Sequence, residues 1–194
     1  MTQTAMKSAR YSRQGLWTLF LMCAFPLHVW TLLLGFRDAS WVTERTSAWD
    51  AVGVVSYGLV FAFIESSVVF LLIALLGFLV STEWDELHRI ALLSLLVLLA
   101  ACWATYAQAY FLWNLSPPGG LVWLVSRFGH PLRVLYVCAT GAVLVTILPA
   151  ALLVLRNARF FSFVRAMIDR LALLTGFYLI LDILGLMIVI MRNV

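Results

Sequence analysis

Three ionisable side chains stand isolated within long apolar stretches: His28, Glu65 and Asp182. An imidazole and two carboxyls are suited to holding and passing protons or to binding a cation, because their affinity for protons responds to burial and to one another. The same groups can also simply hydrogen-bond one another in a packed core. A metal centre would need all three gathered at one point, and a haem would call for paired histidines. His88 and His130 lie outside the apolar runs, at opposite ends of the helices the runs imply, so neither a metal nor another cofactor is expected.

The surroundings of these residues define the protein class. Of 194 residues, 64% are hydrophobic and 11% charged, against roughly 45–50% and 25% in soluble domains. A water-soluble fold is therefore excluded, and the sequence reads as an all-α polytopic membrane protein. The net charge of +4 reads as an orientation signal and as contact with anionic lipid headgroups, not as a nucleic-acid surface. The three cysteines, Cys23, Cys102 and Cys138, fall inside apolar runs without a C-x-x-C pair and read as small buried hydrophobes. There is no G-x-S-x-G motif, histidine box or paired-cysteine centre, so no enzyme is expected.

Five spans are predicted within a single transmembrane domain covering 1–194, at about 15–36, 51–80, 89–113, 131–155 and 171–191. The first run follows Lys7, Arg10 and Arg13, is too long for a leader core and has no small-residue cleavage pattern after it. Residues 37–46 form a polar link, with Trp41 and Trp49 placed for a headgroup-level aromatic belt. Ser47 with Asp50, and Thr82 with Asp85, have the spacing of helix-start caps. The run from Asn114 to Gly120, with two prolines followed by two glycines, ends the third helix. Residues 121–128 are apolar but too short to span, and Trp123 and Arg127 suit an interfacial helix better than a re-entrant dip. Pro131 suits a first helical turn, and Pro149 implies a kink.

These spans set the depth of the chemistry. His28 lies two residues from the centre of its span, and Glu65 and Asp182 within one, so all three fall within about 3 Å of the midplane. Each stands on a stripe of small or polar residues: Ala24, Thr31 and Gly35 with His28; Ala51, Gly58 and Ala62 with Glu65; Thr175, Tyr178 and Gly185 with Asp182. Thr105 and Gln108 add a polar stripe on the third helix, and Thr146 another on the fourth. The expected interior is one polar layer built from Glu65, Asp182, His28, Tyr178 and Gln108.

Arg156, Arg159, Arg165 and Arg170, interleaved with Phe160, Phe161 and Phe163, form the densest basic cluster and are expected to contact lipid headgroups or a partner. With them, eight Lys/Arg fall on the N-terminal side of the membrane against five on the other, which places the N-terminus in the cytoplasm of a bacterial or archaeal plasma membrane. The functional expectation is a non-enzymatic accessory or structural subunit that packs with other membrane proteins or with itself. The alternative is a small proton-linked transporter or channel component using the carboxyl/histidine layer.

The orientation has a direct check. In a background lacking the three native cysteines, Pro118→Cys should react with an impermeant external thiol reagent, while Lys7→Cys and Phe160→Cys should not. The reverse pattern would invert the topology.

Overall fold

The computed structural model describes residues 11–79, 84–113, 115 and 118–194. Its elements are α1 (Arg13–Arg45), α2 (Ala48–Leu76), α3 (Glu86–Leu112), α4 (Gly119–Ser126), α5 (Pro131–Arg156) and α6 (Ala158–Asn193). No strand occurs among the described residues. Among the described residues five helices are long and apolar enough to cross a membrane, and α4, at 8 residues, is not.

Two of the expected links are helical instead. Residues 37–45 contain neither glycine nor proline to stop a helix, so α1 runs on through them for 33 residues in all, about 50 Å. It ends at Thr46, whose backbone N–H still bonds the Val42 carbonyl. The basic stretch 156–170 is likewise helical. Only Asn157 separates α5 from α6, and its side-chain oxygen accepts from the N–H groups of Arg159 and Phe160. This N-cap launches a single helix of 36 residues, about 54 Å long. α2 closes at Leu76 with Gly77 as its C-cap, short of the boundary expected at 80. That boundary and the proposed Thr82 cap lie outside the described residues.

The helices are tied together at both ends. At one end, Leu21 and Met22 of α1, Ala91 and Leu95 of α3, Val154 of α5 and Val164 of α6 form a common apolar core. There the Ser12 N–H donates to Glu86 Oε1 at 2.6 Å, and the Tyr11 hydroxyl donates to the Ala74 carbonyl at 3.3 Å. At the other end, Arg192 of α6 donates to the Trp49 carbonyl at 2.5 Å and to Asp50 Oδ1 at 2.6 Å. Asp50 belongs to the cap of α2: Ser47 Oγ donates to its carboxylate at 2.7 Å and accepts its backbone N–H at 3.1 Å. Between the two ends α6 lies close on α2. A Cβ added at Gly185 would come within 3.3 Å of the Ser56 carbonyl oxygen, so glycine permits the approach.

The α3–α5 pair is attached mainly at one end. From Ala100 to the end of α3 no described side chain is buried, and in α5 Val154 is the only described one that is. Trp103 Nε1 donates to Thr146 Oγ1 at 2.9 Å, joining the two helices to each other where they have left the common core. Cys102 and Cys138 sit on this outlying part and are exposed, contrary to the expectation of burial, whereas Cys23 is buried in the bundle.

Candidate functional site

His28 lies on the inner face of α1, wholly buried, and Asp182 on the inner face of α6, 7% exposed. The His28 ring uses both nitrogens. Nδ1 lies 2.7 Å from the Ala24 carbonyl one turn back, and Nε2 lies 2.8 Å from Asp182 Oδ2 and 3.0 Å from Oδ1. A carbonyl oxygen can only accept, so Nδ1 carries a hydrogen. One further proton is then shared between Nε2 and the carboxyl. Whether the pair is written as imidazolium and carboxylate or as imidazole and carboxylic acid, its net charge is zero. A neutral, fully bonded pair avoids most of the penalty that either ion would incur alone in an apolar interior.

Aromatic and hydroxyl side chains surround the pair. The Tyr178 ring lies parallel to the imidazole, 4° between planes and 6.2 Å between centroids, and stacks on Phe25 at 6.3 Å. About two turns before Asp182 on α6, the buried Thr175 hydroxyl donates back to the Leu171 carbonyl at 2.8 Å and so is not directed at the pair. Asp182 also forms part of the wall of a groove of about 1280 Å³ between α1, α2 and α6, together with Trp17, Phe20, Phe63 and Phe70, and with Arg13 at its rim. The pair is therefore enclosed on the histidine side and reachable on the carboxyl side.

The expected five-residue layer is only partly assembled. His28, Asp182 and Tyr178 come together, whereas Glu65 and Gln108 do not join them and are exposed. On α2 the buried positions are Ala51, Gly53, Ser56, Leu59, Ala62 and Ser66. Ser66 takes the inward direction next to Glu65, its hydroxyl donating to the Ala62 carbonyl at 2.6 Å. Successive residues are turned by about 100°, so Glu65 points off the packed face. Gln108 lies on the part of α3 that has left the core. Arg156, Arg159, Arg165 and Arg170 are all exposed, along α5's last turn and the first half of α6.

No group of three or more His, Cys, Asp or Glu capable of holding a metal occurs among the described residues. The Arg192–Asp50 latch was not among the expected contacts, although its signal lies in the sequence: opposite charges at the end of one apolar run and the start of another, on the same side of the bundle. No family model, curated protein or solved structure matches the chain.

The pairing can be measured by a double-mutant cycle on thermal stability. His28→Ala and Asp182→Leu should couple by about 0.5–3 kcal/mol, while Glu65→Gln combined with either should be additive within about 0.5 kcal/mol. Zero coupling between positions 28 and 182 would mean that the two side chains do not bond.

Proposed function

We propose that the protein is a non-enzymatic accessory subunit of a larger membrane assembly, an integral protein of a bacterial or archaeal plasma membrane with its N-terminus in the cytoplasm. In this placement Arg156, Arg159, Arg165 and Arg170 meet anionic headgroups on the cytoplasmic side. The observation that carries the reading is the outward direction of Glu65. A carboxyl facing lipid near the middle of a span costs several kcal/mol, so intramembrane acids normally face protein. This chain leaves Glu65 without protein around it, and another chain is the remaining source. The outlying halves of α3 and α5, with Gln108 exposed on them, fit the same picture of a bundle that is one part of an assembly.

A second reading is favoured by the position of Asp182. It shares a proton with His28 and also borders the groove, the arrangement needed by a proton-linked transporter component. Glu65 has no part in that reading.

Extraction into native lipid nanodiscs followed by mass measurement separates the two. A subunit should emerge in a particle containing polypeptide beyond its own 21.8 kDa, with a second chain at fixed stoichiometry. A single 21.8 kDa chain, combined with pH-driven flux in liposomes that Asp182→Asn abolishes, would refute the subunit reading in favour of the transporter.

A further inference from the structure

Glu65 does not stand on a random patch. Taken at alternating steps of three and four, α2 presents Val54, Gly58, Phe61, Glu65, Val68, Leu72 and Leu75 along one line. All are exposed except Gly58, which is half-buried. This is the 3.5-residue spacing by which two helices keep a common seam. Its length from Val54 to Leu75 is about 31 Å, close to the ~30 Å thickness of a hydrocarbon layer. Among the described residues α1 approaches this line only at Gly58, through Thr31, and the six other positions stay exposed, with Glu65 in the middle.

What can cover it is restricted by chemistry. An acid in that seam needs a partner able to give hydrogen bonds, and a cation is the strongest. A second copy of this chain has no free cation to offer at that depth. The stretches 15–36, 51–76, 90–107, 134–155 and 171–191 contain a single Lys, Arg, His, Asn or Gln among them, His28, and it is buried against Asp182 and Ala24. Gln108 is four residues from the end of α3, whereas Glu65 is eleven from the end of α2, so the two stand at different levels. Two copies meeting across this seam would set Glu65 against Glu65.

We propose that the α2 seam is the docking line for one transmembrane helix of a different protein, and that this helix carries a lysine or arginine near the middle of its span opposite Glu65. The apolar seam positions supply packing along the whole length, and the ion pair sets register and partner choice, since a helix without the cation leaves the acid unsatisfied. The inference rests on the subunit reading above and adds the partner's chemistry to it.

Photo-crosslinking in the native membrane tests it, with the reactive residue placed at Phe61 or Val68 on the seam and at Val145 on α5 as a control. The expected result is one heterologous chain joined at both seam positions and not at Val145, with a lysine or arginine within a turn of the midpoint of its span. Glu65→Leu and Glu65→Lys, each checked for unchanged helix content and detergent elution, should cut the adduct at least tenfold. Replacing the partner's basic residue by glutamate should restore the Glu65→Lys adduct to within twofold. Adducts of two copies of this chain, a seam partner lacking the cation, or adducts indifferent to both Glu65 variants would overturn the proposal. A partner joined only at Val145 would overturn the seam but leave the subunit reading standing. No protein adduct at any of the three positions, from a chain that also purifies alone, would overturn both.

Discussion

An imidazole and a carboxyl held 2.8 Å apart between two long apolar helices impose a requirement that much of the bundle meets. Neither group is tolerable there alone: removing one partner from a buried pair typically costs about 3–5 kcal/mol, because the other is left uncompensated. His28 and Asp182 therefore hold α1 and α6 at one mutual height and rotation, and the Ala24 carbonyl fixes the tautomer of the ring, which lies parallel to Tyr178. Apolar surfaces between helices of this kind have little preference of their own, since lipid is as apolar as leucine. A polar bond at depth is what makes one packing distinct from its neighbours.

The remaining contacts follow from that placement. With α1 and α6 set, α2 enters with its small residues inward: Gly185 allows α6 to approach the Ser56 backbone, and Gly58 lies against Thr31 of α1. Arg192 closes the same arrangement at one end by joining the last turn of α6 to the first of α2, and Glu86 closes the opposite end by accepting from Ser12. These latches are exposed or only partly buried and individually modest, but they act at the two ends of helices whose middle is already registered. Rotating α2 to present Ala62 and Ser66 to the bundle turns Glu65 away from it. The outward acid is thus a consequence of how the inner face is satisfied.

Much of this was legible in the residues, and the failures have identifiable causes. Long apolar runs marked the five helices that are long and apolar enough to span, because hydrocarbon thickness and helical rise leave few alternatives. Ser47 was readable as a cap from its spacing to Asp50, and the matched depths of His28 and Asp182 were readable by counting residues from span centres. Helix rotation was not. Glu65 is three residues from Ala62 and its stripe of small residues includes Ala51 and Gly58, yet three steps leave a residue about 60° off the first, and that was enough to move the acid from the packed face to the outer one. In a helix that is apolar all round, sequence periodicity does not fix the rotation. The polar link expected at 37–46 and the break expected between the spans 131–155 and 171–191 were misread because charge suggested a boundary, whereas helices stop for want of hydrogen bonds or at glycine and proline, and Asn157 supplies only a cap.

The joining of α1 to α6 depends on the state of the His28 ring, and nitrogen NMR of the protein labelled at histidine, in lipid nanodiscs at neutral pH, reads it directly. The expected result is a proton on Nδ1 and an Nε2 resonance that shifts when Asp182 is replaced by asparagine. An unprotonated Nδ1, or an Nε2 resonance indifferent to Asp182, would contradict it.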